Sequence, residues 1–146
     1  MRPTATVVSL PVNDLDRSLR FYRDGLGLST PGIDEYMIAF ELPNLSLFLI
    51  ESSQYQTYLD RAGVARSTAT AGACILSCAI ATKTEVDEII SRAGEAGGTA
   101  RAAIEDDGSY TGYIRDPDGH VWELVCNDRT ARAAARSPVT KGRRHT

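Results

Sequence analysis

Hydrophobic and polar positions divide the chain into two blocks with the same order of periodicities. Thr6–Val12 (TVVSLPV) is β-branched and apolar and predicts a strand. The next stretch switches to helical spacing: Leu15, Leu19, Tyr22 and Leu26 form one apolar stripe. Asn13 or Asp14 can cap its start, and Gly25 or Gly27 can end it. Three short strand segments follow, near Leu28, at Tyr36–Leu42 and at Leu45–Ile50. Pro31-Gly32 breaks the chain after the first, and Pro43-Asn44 turns it between the last two. The order is β, α, then β-β-β.

The second block opens with Cys74–Ala81, a continuous apolar run that predicts a strand. Thr82 and Glu85 match a capping box, and the helix they open carries Val86, Ile89, Ile90 and Ala93 on its buried side. Gly97-Gly98 ends that helix. Strands are predicted at Thr99–Ile104, Tyr110–Arg115 and His120–Cys126, with Asp116-Pro117-Asp118-Gly119 placed as a type I turn between the last two. First strands about seventy residues apart indicate an internal duplication of a βαβββ unit. The expected organisation is one α+β domain over residues 1–128. Module one covers about 5–52, a linker about 53–72 with a short helix at Tyr55–Ala62, and module two about 73–128; residues 129–146 form a tail.

Composition narrows the class without changing this picture. A chain of 146 residues, 42% hydrophobic and 24% charged, suits a globular domain. Its longest apolar runs are too short to span a bilayer, so no membrane partner is expected. The start enters a strand pattern with no basic-then-apolar leader, so no signal peptide is expected. Cys74, Cys78 and Cys126 have neither disulfide nor metal-site spacing, which predicts reduced thiols and a cytoplasmic protein. The net charge of -3 hides an asymmetry, because Arg129, Arg132, Arg136, Lys141, Arg143 and Arg144 have no acidic neighbour after Asp128. The folded part is therefore acidic, which argues against a nucleic-acid-binding body. The tail reads as a solvated, disordered end with at most a helical turn near Thr130–Arg136.

Val12-Asn13-Asp14-Leu15-Asp16-Arg17-Ser18-Leu19-Arg20-Phe21-Tyr22, followed by Gly25-Leu26-Gly27, resembles the opening of the glyoxalase/bleomycin-resistance/extradiol-dioxygenase group, the vicinal oxygen chelate superfamily. Gly112-Tyr113-Ile114-Arg115-Asp116-Pro117-Asp118-Gly119-His120-Val121-Trp122-Glu123-Leu124 resembles its closing hairpin. The resemblance spans residues 5 to 128 and implies a cupped, mostly antiparallel sheet built from two βαβββ modules, with the helices outside. It also implies a homodimer, the modules closing on each other within one chain or across the dimer. Enzymes of the group usually hold a divalent metal with residues from four strands. Matched onto this chain, those positions are Val7, Phe48, Ile75 and Glu123. Valine, phenylalanine and isoleucine have no lone pair to give, and a catalytic metal needs about three protein ligands. A shift of one residue reaches Thr6, Val8, Leu47, Leu49, Cys74 and Leu76, which add at most a thiol. His120 sits in the closing turn and His145 in the tail. No metal and no other cofactor is therefore expected.

Strand alternation defines the lining of the cup. If Glu123 faces inward, Val121 and Val125 share its face, while Trp122, Leu124 and Cys126 pack beneath the helices. Pairing across the turn brings Tyr113 opposite Glu123, a spacing that resembles the extradiol members, where both side chains line the site. The other inward sets are Val7, Ser9 and Pro11; Ser46, Phe48 and Ile50; and Ile75, Ser77 and Ala79. The candidate ligand-binding residues are Glu123, Tyr113, Ser9, Phe48, Ile75, Ser77 and Val7, an apolar lining with a few polar points. A carboxylate among Val, Ile and Phe should have a raised pKa, which makes Glu123 the candidate catalytic acid or base. The plainer alternative is a carboxylate satisfied by Tyr113 or a serine, or solvated at the mouth. Cys74 and Cys78 are expected to pack on the outward face, and Tyr22 and Trp122 in the core.

Three function classes remain. The first is a metal-free protein that binds or sequesters a small hydrophobic or aromatic compound, oriented by Glu123 and Tyr113; an aromatic content of only 7% counts against it. The second is a metal-independent isomerase or lyase in which Glu123 moves a proton on a carbonyl or enol substrate; the absence of a second evident catalytic group counts against it. The third, a metal-dependent glyoxalase or dioxygenase, suits the resemblance but not the residues at the ligand positions.

Overall fold

The computed structural model describes residues 1–64 and 72–136. The first unit runs β1 (Val7–Val12), α1 (Leu15–Leu19) with a wide-turned extension over Arg20–Gly25, β2 (Ile33–Asp34), β3 (Met37–Leu42) and β4 (Leu45–Glu51). After α2 (Ser52–Arg61) the second unit runs β5 (Ile75–Ala79), α3 (Lys83–Glu95), β6 (Thr99–Ala100), β7 (Ile104–Asp106), β8 (Ser109–Arg115) and β9 (Val121–Cys126), and α4 (Asp128–Arg136) follows. Each unit forms its own sheet. One has the order β1-β4-β3-β2 and the other β5-β9-β8-β6, with β7 also paired to β8. In each, the first and last strands of the unit run parallel and the rest antiparallel. That leaves β1 and β5 as edges, and Pro11, with no N–H to donate, suits an edge strand.

The two registers superimpose the units residue by residue. Ser9 pairs with Phe48, and Phe48 with Ala39; at the same places Ser77 pairs with Glu123, and Glu123 with Tyr113. By the same rule Val7 corresponds to Ile75, Ser46 to Val121 and Glu41 to Arg115. The duplication read from the periodicities is thus present in the hydrogen-bond ladders.

One core joins the units. Leu10, Val12, Phe40, Leu47 and Leu49 from the first sheet pack in the same cluster as Ile114, Trp122, Leu124 and Cys126 from the second, with Val86 and Ala93 of α3. Each large apolar side chain buried there stabilises the fold by roughly 1.5–3 kcal/mol. The helices pack on this side of both sheets, so the opposite faces are left open. Where the two helical layers touch, a Cβ on Gly25 would come within 2.5 Å of the Ala96 Cβ.

Local chemistry explains most element boundaries and the departures from expectation. Asp14 caps α1 by accepting the Arg17 N–H at 3.0 Å, and Thr82 caps α3 by accepting the Glu85 N–H at 3.1 Å. After Leu19 the first helix widens, and the Leu26 N–H donates to the Phe21 carbonyl five residues back at 2.9 Å. Phe21 and Tyr22 are consequently both fully buried, where a regular stripe includes only Tyr22. No strand forms at Leu28, because its N–H donates to the Tyr22 carbonyl at 3.0 Å and finishes the helix; β2 starts only after Pro31-Gly32. The strand expected over Thr99–Ile104 is split into β6 and β7. α2 starts at Ser52 rather than Tyr55, since the Glu51 carboxylate accepts the Ser53 N–H at 3.2 Å. At the other end, Asn127 Oδ1 accepts the Thr130 N–H at 2.9 Å and a helix of 9 residues forms where a turn was expected. The tail from 137 on, expected to be disordered, lies outside the described residues, as does the linker stretch 65–71. No helix among the described residues is long and apolar enough to cross a membrane.

Candidate functional site

Two polar assemblies stand out, one at the seam between the units and one on an open face. The seam is organised by the Asp116–Gly119 turn. The Tyr22 phenol donates to Asp116 Oδ2 at 2.7 Å, and the Trp122 indole N–H donates to the Tyr22 oxygen at 3.1 Å. Asp116 Oδ1 accepts the backbone N–H groups of Asp118 and His120 at 2.9 and 2.8 Å. Asp118 Oδ1 accepts the Asn13 N–H and the Arg17 guanidinium, at 2.9 and 3.0 Å. His120 Nε2 lies 2.7 Å from the Pro11 carbonyl; a carbonyl only accepts, so this nitrogen carries the proton. Burial, then the neighbouring Asp116 charge, pushes the Tyr22 phenol well above the ordinary tyrosine range. All of these groups are committed to joining the units, so they are structural.

The second assembly lies on the open face of the β5–β9–β8 sheet. Glu123 stands between its two cross-strand partners, and both reach it: Ser77 Oγ donates to Oε1 at 3.0 Å, and the Tyr113 phenol donates to Oε2. The bond to Glu123, ahead of desolvation, raises the Tyr113 phenol above its usual value. The apolar surround expected for Glu123 is not what the structure provides. The carboxylate is half-buried and satisfied by two hydroxyl donors, while Tyr113 beside it is 45% exposed. A hydrogen-bonded hydroxyl–carboxylate–hydroxyl row of this kind can accept or donate to a ligand and can pass a proton along the row.

The remaining predicted residues divide between the two sheets. Ile75, 55% exposed, lies on the same face as Ser77. Val7 and Phe48 lie on the first sheet, at the places corresponding to Ile75 and Glu123. Ser9 does not join the Glu123 row; it lines a separate depression of about 400 Å³ at the seam with Pro11, Ser52, Tyr55, Cys74 and His120. Cys74 is exposed, contrary to the packing role expected of it, because β5 begins only at Ile75. Cys78 is half-buried as expected, and burial pushes its thiol up. Tyr22 and Trp122 are core residues.

Two residues escaped the sequence reading. Arg101 and Arg115 line a depression of about 500 Å³ together with Thr99, Ala100, Tyr113 and Val121. Alternation from Tyr113 along β8 places Arg115 on the same face, and extending that pattern by one step was the available signal.

The four positions matched to a metal site form two equivalent pairs, Val7 with Ile75 and Phe48 with Glu123, and only one of the four has a donor atom. Among the described residues no group of three or more His, Cys, Asp or Glu side chains could hold a metal ion. This donor set does not fit a divalent metal.

Comparison with known proteins agrees with the architecture. The family model described as Glyoxalase/Bleomycin resistance protein/Dioxygenase superfamily matches residues 4–124. A solved glyoxalase-related enzyme from Fulvimarina pelagi is 29% identical, with a TM-score of 0.73 over 85% of this chain and 88% of that one. A lactoylglutathione lyase from Agrobacterium tumefaciens is 28% identical, with a TM-score of 0.60 over 86% and 95% of the two chains. A family enzyme from Burkholderia phytofirmans PsJN, at 18% identity, shares the fold with a TM-score of 0.69 over 84% and 97%. No curated protein matches the chain.

Proposed function

Since the chain belongs to the Glyoxalase/Bleomycin resistance protein/Dioxygenase superfamily, whose shared fold does not by itself fix a reaction, we propose that it binds a small organic molecule on the open face of its second sheet, without a bound metal. The observation that carries this reading is the Ser77–Glu123–Tyr113 row. It offers a carboxylate acceptor flanked by two hydroxyls, next to the exposed apolar surface of Ile75. In this reading Glu123 and Tyr113 orient the guest through hydrogen bonds, and apolar contact supplies most of the affinity.

A second reading rests on the Tyr113–Glu123 bond itself. A carboxylate and a phenol sharing one proton-bearing contact form an acceptor–donor pair. A metal-independent isomerase would use it to take a proton from one carbon and return it to another, and a lyase to take the proton from carbon and protonate the departing group. One variant separates the two. Glu123→Gln keeps the shape and most hydrogen bonds, so under the first reading it weakens binding by a factor of about ten or less. Under the second it abolishes turnover while leaving binding nearly intact. The measurement is calorimetric titration of wild type and variant with a panel of small carbonyl and phenolic compounds, followed by proton–deuterium exchange of bound carbonyl compounds in D₂O. Equal binding by both proteins together with no exchange in either sinks both readings.

A further inference from the structure

Charge on the open face of the second sheet is unevenly compensated. Three cations of the fold pair with carboxylates: Arg17 with Asp118 at 3.0 Å, Arg23 with Asp24 at 2.8 Å and Lys83 with Glu105 at 2.6 Å. Arg20 and Arg92, without ion pairs among the described residues, line a hollow that also holds Asp24 and Glu95. Arg101 and Arg115 differ in that no carboxylate among the described residues lines their hollow. They line one depression of about 500 Å³, and neither guanidinium has an ion-pair or hydrogen-bond partner among the described residues. Glu123, the cross-strand partner of Tyr113, turns its two oxygens to Ser77 and Tyr113 rather than to either guanidinium. Two like charges sharing a concavity repel each other, and a planar guanidinium is matched best by a carboxylate or phosphate that accepts two parallel hydrogen bonds. That a net-acidic protein gathers two uncompensated arginines in one hollow therefore points to an anion as the missing partner.

Tyr113 fixes where this anion lies relative to the rest of the site. It lines the same depression as the two arginines and also bonds to Glu123, so the hollow and the Ser77–Glu123–Tyr113 row are continuous. Within β8, Arg115 is two residues beyond Tyr113 on the same face, about 7 Å along the strand. Val121, the cross-strand partner of Arg115, supplies an apolar wall beside it. We propose that the guest is an anion, its carboxylate or phosphate held by Arg101 and Arg115 and its uncharged part lying over Val121 toward Tyr113 and Glu123. This rests on the reading that the open face of the second sheet binds a small molecule, and it adds the class of that molecule.

The test is a heteronuclear NMR titration of the full chain with three probes of one ring size: benzoate, phenyl phosphate and benzyl alcohol. Shifts are followed separately at the arginine side-chain N–H signals and at the backbone N–H groups of Ser77, Tyr113 and Glu123. At least one anion should bind roughly tenfold or more tightly than the alcohol, and that advantage should disappear in the Arg101→Gln/Arg115→Gln protein. Both residues are exposed, so the double variant keeps the dispersed spectrum of the wild type. Preference for benzoate identifies a carboxylate guest, and preference for phenyl phosphate a phosphorylated one. Equal binding of all three probes at Ser77, Tyr113 and Glu123 overturns the anion inference and leaves the preceding reading standing. Anion shifts confined to the arginines, with none at those three residues, uphold the anion site and sink the preceding reading. Absence of any shift at Arg101 and Arg115 with either anion at saturation overturns the inference.

Discussion

The phenol of Tyr22 and the carboxylate of Asp116 meet at 2.7 Å in the buried seam, although 94 residues separate them in the chain. Tyr22 also accepts the Trp122 indole N–H, so one hydroxyl holds together the helix of the first unit and the closing hairpin of the second. Removing it leaves a buried donor and a buried acceptor unsatisfied. Tyr22→Phe should therefore cost about 1–3 kcal/mol, seen as a Tm lower by several degrees in calorimetry. Tyr113→Phe, on the open face, should change Tm much less; equal effects would remove the seam from this account.

Close approach at Gly98 gives a second test. A Cβ there would collide with the Arg115 carbonyl and the Phe21 ring, one of which is backbone that cannot yield. Gly98→Ala should destabilise by about 1–3 kcal/mol. Gly94→Ala, inside α3 with nothing within 4 Å of the added carbon, should instead be neutral or stabilising by up to about 1 kcal/mol. Urea denaturation of both variants checks the contrast in sign.

The Tyr113–Glu123 bond makes a pH prediction with a definite direction. The folded phenol titrates above the ordinary value near 10. The stabilisation from this bond is thus complete below the unfolded tyrosine pKa and is lost as pH rises through the higher folded value. Ultraviolet titration of phenolate absorbance, with Tyr113→Phe used to isolate the step, should place Tyr113 at a lower pH in Glu123→Gln than in the wild type. An unchanged position would mean the bond is absent in solution.

How far the sequence reading reached depends on what kind of signal each feature left. Helices α1 and α3 and the long strands were legible because their stripes and caps are local: Asp14 and Thr82 stand where the caps form. Leu28 misled because a lone leucine between two glycine-rich breaks carries no period, and its fate was decided by a hydrogen bond to Tyr22. The widened turn that buries Phe21 was illegible for a similar reason, since a 3.6-residue template assigns Phe21 to the flank of the helix. Within the site, Tyr113 opposite Glu123 followed from turn geometry and came out as predicted. Arg101 and Arg115 did not, because a charged residue at a strand end reads as a solvated face until the structure shows that no counter-charge accompanies it.

Metal addition tests the donor set directly. At about a hundred times its Kd, a specifically bound metal would add roughly 2.7 kcal/mol to stability, so Ni²⁺, Zn²⁺, Mn²⁺ and Fe²⁺ should each leave Tm unchanged. Val7→His with Ile75→His, keeping Glu123, supplies three donor side chains at the matched positions; Zn²⁺ should then raise Tm of the variant and not of the parent. A rise in the parent would overturn the metal-free reading.

The correspondence of Phe48 with Glu123, and of Ala39 with Tyr113, bears on how many ways a guest can lie. Two faithful copies of one unit would present the same wall twice, and a molecule between them would have a pair of poses related by half a turn, equal in energy. A phenyl ring at one place and a carboxylate at its equivalent make the two walls unlike and lift the degeneracy. The repeated scaffold thereby gains a head and a tail, and a guest bound as proposed would meet unlike chemistry at its two ends.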